Sequence, residues 1–241
     1  MSMKRLIDFG SISEEQVEFI RKLVVAGYNI FVSGGTGSGK TSFLNAMAEF
    51  IPADERVITI EDSAELQLKN VDNLVRLEAR SANLEGNNAI TIRDLLKSSL
   101  RMRPDRIIVG ECRGEEAIEM LQAFNTGHDG SASTGHSNSC VDMLSRLETM
   151  VLMGAEIPVS AIRQQIASGI DIIIQLGRLR DKSRKLLEIV EVDGIEDGKI
   201  KLNSLYKFKE LDEVEKRIVG TWEKTGNLIH QEKLSMSGLS L

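Results

Sequence analysis

The sequence predicts an α/β protein built on a mostly parallel sheet, and three observations carry that prediction. Compact apolar runs alternate along the chain with segments whose apolar residues recur at helical spacing. Several of the runs end abruptly in glycine or in acid. Two of the helical segments open on capping boxes, Ser13 with Gln16 and Thr91 with Asp94.

The elements follow in order. Behind Ser13, the spacing of Val17, Ile20 and Val24 predicts a helix. YNIFVS (28–33) predicts a strand, followed by glycines and then by a helix carrying Phe43, Leu44, Met47 and Phe50. RVITIED (56–62) reads as a second strand ending in acid, and LVRLEAR (74–80) as a third. Thr91 opens the helix TIRDLLKSSLRM, which Pro104 bounds. RIIV (106–109) is a short strand that runs straight into Gly110 and Glu111. A helix is expected over 114–125, ending near Gly127, and GSASTGH reads as a small-residue strand leading to a loop. Helices near 141–153 and 159–168 precede the strand DIIIQL (171–176). KLLEIVEV and KIKLNSLYKF, with the turn pairs Asp193-Gly194 and Asp197-Gly198 nearby, predict an antiparallel extension of the sheet. Beyond Phe208 the chain turns polar, and 209–241 is expected to form a small carboxyl-terminal element or tail.

Composition narrows the function classes. With 241 residues, 41% of them hydrophobic, the chain can bury one good-sized core. Thirty basic residues against thirty-six acidic ones, a net charge of -6, argue against a nucleic-acid footprint. Two cysteines, Cys112 and Cys140, suggest no disulfide framework, read as small packing residues and fit a reducing, cytoplasmic setting. The histidines at 128, 136 and 230 have no zinc spacing. No apolar run approaches the ~20 residues of a membrane helix. Asp8, Glu14 and Glu15 arrive too early for a signal peptide.

The residues with chemical promise fall at the carboxyl ends of strands, where ligands sit in such sheets. Gly34, Gly35, Thr36, Gly37, Ser38, Gly39, Lys40, Thr41 and Ser42 match G-x-x-x-x-G-K-[ST] between a strand and a helix. Glycines let backbone N–H groups close around phosphate oxygens, and the start of the helix adds its positive dipole end. Lys40 is expected to reach the β- and γ-phosphates, and Thr41 to offer its hydroxyl to Mg²⁺.

Glu111 stands at the mouth of a buried strand, where a carboxylate needs a partner. Beside a phosphate-binding loop, such an acid holds Mg²⁺ through water or orients the attacking water. Glu61 and Asp62 end another strand in the same way, although acids are also common in ordinary turns. Arg113 either faces phosphate or pairs with Glu115 or Glu116. His136 suits a γ-phosphate contact, because imidazole can donate to an oxyanion; a solvated surface histidine fits the local residues equally well. Arg76, Arg80, Arg93, Arg101 and Arg103 form a dense run that reads mostly as solvated faces and surface ion pairs. Arg80, Arg101 and Arg103 are the candidates in it for arginine fingers.

Taken together, GGTGSGKTS, ITIEDSAEL, IIVGE and STGHSNS, in that order, resemble the phosphate loop, acidic box, Walker B strand and histidine box of the secretion ATPase superfamily, which drives type II secretion, type IV pili and type IV secretion. TIRDLLKSSLRMRPDRIIVGECRGEEA and NTGHDGSASTGHSNS are similar to its tight-adherence (Tad) pilus branch. The resemblance covers roughly residues 10–208. It implies a RecA-like fold, Mg²⁺-dependent ATP hydrolysis, a cytoplasmic homo-hexamer at the inner face of the membrane, and an inner-membrane platform protein as partner, with no zinc. It also implies that Glu111 and Glu61 share water activation and water-mediated Mg²⁺ positioning, that His136 senses the γ-phosphate, and that Arg113 belongs to the catalytic set. Which glutamate is the base stays open.

On the same resemblance, residues 1–28 are expected to be the linker helix from an amino-terminal domain that family members carry, 29–208 the motor, and 209–241 an appendage. Some family arginine fingers lie on that amino-terminal domain, so the isolated chain is expected to be a poor ATPase. Two other readings stand beside this one. A DNA translocase or helicase motor of similar fold is disfavoured by the acidic balance. A nucleotide-gated scaffold with low turnover is disfavoured by the intact Glu61 and Glu111.

Overall fold

The computed structural model describes residues 1–82 and 88–241. In chain order these form α1 (Met3–Asp8), α2 (Glu14–Val25), β1 (Ile30–Gly34), α3 (Lys40–Met47), β2 (Arg56–Glu61), β3 (Asn73–Glu78), α4 (Ile92–Ser99), β4 (Arg106–Val109), α5 (Ala117–Phe124), β5 (Ala132–Gly135), α6 (Cys140–Gly154), α7 (Val159–Gly169), β6 (Ile172–Arg178), β7 (Arg184–Glu196), β8 (Lys199–Val214), β9 (Arg217–Lys224) and α8 (Glu232–Met236). Both predicted capping boxes form: Gln16 returns a hydrogen bond to Ser13, and Asp94 to Thr91.

The described residues build one nine-stranded sheet in the order β3-β2-β4-β5-β1-β6-β7-β8-β9. The six strands from β3 to β6 run parallel, and β7, β8 and β9 add on antiparallel. Every residue of β1 is buried, because helices cover the sheet on both sides. One core joins alternate strand residues such as Ile30, Val32 and Ile174 to α1, α2 and α3. The other joins Phe31, Ile58, Ile107 and Ile173 to α4, α5, α6 and α7. All six parallel strands therefore deliver their carboxyl ends to one rim, with β1 inside the sheet and β5 and β6 at its sides.

Three segments differ from the sequence reading. Residues 1–28 form two helices rather than one linker helix, because Gly10 turns the chain with φ +61° between them. The helix expected from 114 begins at Ala117, since Glu116 Oε1 accepts the backbone N–H groups of Arg113 (2.6 Å) and Gly114 (3.0 Å) and holds them in a turn. The boundary at 208 falls inside β8, which continues to Val214 and pairs with β9. That hairpin is exposed along most of its length, so its sequence lacks the in-and-out alternation that announces a strand.

The carboxyl-terminal segment then folds back on the opposite end of the sheet. The buried Glu191 accepts the backbone N–H of His230 (2.7 Å), and Lys233 bonds Asp171 (2.8 Å) and Asp129 (2.9 Å). Among the described residues, no helix is long and apolar enough to cross a membrane.

Candidate active site

The glycine-rich loop leaves β1 at Gly34 and enters α3 at Lys40. Gly37 (φ +73°) and Gly39 (φ +94°) occupy the left-handed region that other residues enter only under strain. No side chain caps α3, so its first backbone N–H groups stay open toward the loop. Lys40 is 8% exposed, and its Nζ donates to the carbonyls of Gly34 (2.9 Å) and Gly35 (3.3 Å). Burial pushes its pKa down, the Glu111 carboxylate across the cleft pulls it back up, and Arg113 pushes it down again. Ser38 is buried, and its Oγ has no partner among the described residues. Thr36 and Gly37 are exposed at the loop's tip, while Thr41 and Ser42 lie half-buried in the first turn of α3.

The acidic side is assembled by β2, β4 and β5. Glu61 closes β2 and is 5% exposed. Its Oε1 accepts the backbone N–H groups of Glu65 (3.0 Å) and Leu66 (2.9 Å). Gly110 follows β4 beside it, and a Cβ there would stand 2.9 Å from Glu61 Cγ, so the glycine makes room for the glutamate. Burial raises the Glu61 pKa, and the two N–H bonds oppose that rise.

Glu111 has 17% of its side chain exposed and both oxygens engaged. Arg113 Nε donates to Oε2 (2.7 Å), with Nη2 on the same oxygen, and His136 Nδ1 pairs with Oε1. Burial pushes the Glu111 pKa up, but Arg113 and His136 outweigh it and hold the carboxyl below its ordinary value. Glu111 is therefore ionised at neutral pH. Arg113 also approaches Asp62 Oδ2 at 3.5 Å. It pairs with Glu111 and Asp62, not with Glu115 or Glu116, because Glu116 is occupied with backbone N–H groups.

The structure thus brings Lys40, Glu61, Glu111, Arg113 and His136 to one rim, as the strand ends require. It does not bring Arg101 or Arg103 there. Arg101 and Arg103 precede β4 and lie at its amino end, across the sheet from the loop. Arg80 follows β3 at the sheet's far edge, and its Nε donates to the carbonyl of Asn88 (2.9 Å). Two residues beside the loop escaped the sequence reading. Arg184, the first residue of β7, donates from Nε to the carbonyl of Gly37 (2.8 Å), and its Cδ lies 3.3 Å from a Cβ built on Gly39. Gln175 of β6 reaches the loop behind His136. Both arrive by strand pairing across the sheet, which leaves no local signal in the chain.

The donor set suits Mg²⁺. Thr41, Glu61 and Glu111 offer hard oxygens, and among the described residues no group of three or more acids, histidines or cysteines could hold a metal alone. Mg²⁺ takes one or two carboxylates and completes its shell with water and substrate phosphate.

The buried Glu61 carries a stability cost that can be read out. A carboxyl whose folded pKa lies above its ordinary 4.5 binds the proton more tightly folded than unfolded, so stability is present at low pH and lost as pH rises through the folded pKa. Glu61→Gln keeps the acceptor oxygen and removes the charge. It is expected to raise Tm by a few degrees at neutral pH, with the gain fading as pH falls below the ordinary value. Thermal melts across pH check this; a mutant less stable than the parent at neutral pH contradicts the assigned burial cost.

The chain is similar in sequence and fold to known proteins. The model of the family described as type II/IV secretion system protein matches residues 1–224. The conjugal transfer protein TrbB of Rhizobium radiobacter is 38% identical over 186 residues, covering 76% of this chain and 54% of that protein. The VirB11 ATPase of the Brucella suis type IV secretion system, solved in complex with sulphate, superposes with a TM-score of 0.67 at 34% identity, over 78% of this chain and 54% of that one. The pilus retraction motor PilT, solved with bound ADP, gives a TM-score of 0.56 at 25% identity, over 85% of this chain and 52% of that one. The chain therefore spans about half the length of each. With the family model matched from the first residue through β9, and with the sheet and rim described above, this chain belongs to the type II/IV secretion system protein family and has its RecA-like fold.

Proposed function

We propose that this chain is the motor part of an ATPase that hydrolyses ATP with Mg²⁺ to power secretion or pilus assembly. The observation that supports it most directly is the glycine-rich loop itself, where the buried Lys40 rests on the carbonyls of Gly34 (2.9 Å) and Gly35 (3.3 Å) at the uncapped start of α3, on the same rim as Glu61 and Glu111. Lys40 and the open N–H groups of α3 hold the β- and γ-phosphates. Thr41 would hold the metal through its hydroxyl, and Glu111 and Glu61 would position it through water. When bound, Mg²⁺ supplies positive charge to the phosphate oxygens.

Arg113 and His136 keep Glu111 ionised and oriented. An arriving γ-phosphate competes with the carboxylate for both donors, which frees Glu111 to accept a proton from water. His136 thereby reports the γ-phosphate. Glu61, its charge disfavoured by burial, orients water or metal beside it. Arg101 and Arg103 lie at the opposite rim, so either of them acting as a finger does so on a neighbouring copy, while Arg80 stands at the edge strand of the same rim as Glu61. A homo-hexamer on the cytoplasmic face of the membrane, docked on a membrane platform protein and working in a Tad-type pilus, is the fuller form of the proposal. The motifs 91–117 and 125–139 support its last part.

ATP turnover measured with Mg²⁺ and with EDTA, over a wide range of protein concentration and alongside the mass of the assembly, tests the reading. Turnover is expected to need Mg²⁺ and to rise per subunit with concentration, since an arginine supplied in trans is worth ~10³-fold or more. Absence of nucleotide binding overturns the ATPase reading. A flat specific activity from a monomer overturns the shared site, and stimulation by single-stranded DNA favours a nucleic-acid motor instead.

A further inference from the structure

β6 carries one polar side chain in an otherwise apolar run, Ile172-Ile173-Ile174-Gln175-Leu176. Gln175 pairs in register with Ser33, the residue before the glycine-rich loop. Ser33 pairs on its other side with Gly135, the residue before His136. The ends of three adjacent strands therefore align at Gln175, Ser33 and Gly135, beneath both halves of the cleft.

Gln175 is 4% exposed. Its Nε2 donates to the carbonyl of Ser137 (3.2 Å) and approaches that of Leu176 (3.4 Å). Both neighbours are carbonyl oxygens, which only accept, so the amide must turn its NH₂ toward them. That leaves Oε1 buried with no partner among the described residues, and the fully buried Ser33 hydroxyl has none either. A methionine of similar volume would continue the apolar run without an orphaned oxygen. The glutamine costs stability, and its one long-range bond goes to the loop that carries His136.

We propose that Gln175 is a positioning residue for hydrolysis. It ties the carbonyl of Ser137 to β6, and so sets His136, and through His136 the Glu111 carboxylate, against the strand that carries the glycine-rich loop. The inference rests on the reading of His136 as the γ-phosphate contact. Gln175 touches neither nucleotide nor metal in this scheme, so its effect passes through His136.

The test is a double-mutant cycle in the full chain, with two readouts: single-turnover ATP hydrolysis, and the ratio of affinities for ATPγS and ADP. Gln175→Met keeps the volume and removes both polar atoms. It is expected to melt at or above the parental temperature and to bind ADP within about twofold of the parent. Hydrolysis is expected to fall by about 10- to 100-fold, the range for a reacting group displaced by about an ångström. The preference for ATPγS over ADP is expected to fall with it. Added to His136→Ala, Gln175→Met should change either readout by less than about twofold.

Equal losses in the parental and His136→Ala backgrounds would make Gln175 an independent structural residue and overturn the proposal. A lower melting temperature with weakened ADP binding would do the same. If His136→Ala alone hydrolyses and discriminates as the parent does, the reading of His136 falls and this inference falls with it; an additive cycle with an impaired His136→Ala sinks only the role of Gln175.

Discussion

Lys40→Ala is expected to abolish tight ATP binding. Lys40 is 8% exposed, and its ammonium rests on two carbonyl oxygens, those of Gly34 at 2.9 Å and Gly35 at 3.3 Å. Phosphate oxygens carry charge and outcompete neutral carbonyls for an ammonium. Two charge-assisted bonds at ~1.5–3 kcal/mol each correspond to a loss of about 10²- to 10⁴-fold in affinity. Of the nearby cations, Arg184 is exposed and bonded to the carbonyl of Gly37, and Arg113 is paired with Glu111 and Asp62 and meets only the γ-phosphate in this scheme, so neither takes over the β-phosphate contact. Removing an ammonium whose charge burial disfavours should leave the fold intact. Titration with a fluorescent ATP analogue decides the matter, and near-parental affinity in the folded mutant would overturn the phosphate site.

Glu111→Gln is expected to hold ATP without turning it over. The amide keeps the shape of the carboxylate and can still accept from Arg113 Nε or His136 Nδ1, but it has lost the charge and the basicity. Binding depends on the loop N–H groups, Lys40 and Thr41, so it should survive. Hydrolysis should fall by ~10²-fold or more, as expected for loss of a positioned acid–base group. In the nucleotide-free protein Arg113 and His136 hold Glu111 below its ordinary pKa, so parental kcat/KM should persist into mildly acidic solution before Glu111 protonates, which a pH profile of kcat/KM checks. Single-turnover assays with prebound ATP check the mutant's binding and hydrolysis. Parental rates in the mutant transfer the role to Glu61, and failure to bind ATP makes Glu111 chiefly a metal or structural residue.

The chain by itself determined a good deal. The strand–glycine–helix order of 28–47 dictated a parallel sheet with a phosphate-sized loop at its carboxyl rim, because a strand buried on both faces must be apolar throughout and a loop with φ of +73° and +94° must be glycine. Capping boxes at Ser13 and Thr91 marked helix starts by local hydrogen bonds alone. Gly110-Glu111 and Glu61 announced themselves as acids at strand ends. These are short-range signals, written in residues that are neighbours in the chain.

What only the tertiary structure decided is who meets whom across the sheet. Arg113 had four nearby acids to choose from, and the choice fell to Glu111 and Asp62 because the turn at Glu116 had already consumed its nearest rival. His136 meets Glu111 only because strand order puts β5 beside β4, a pairing its local residues do not announce. Arg101 and Arg103 lost their place in the cleft because a parallel strand carries its two ends to opposite rims. Arg184 and Gln175, 147 and 38 residues from their partners, came to the loop and to Ser137 through β6 and β7. The hairpin after Phe208 stayed hidden for the opposite reason: it buries little, so no apolar period was needed to form it. Periodicity records burial and short spacing records local bonds, but partners brought together by sheet order leave no mark in the order of residues.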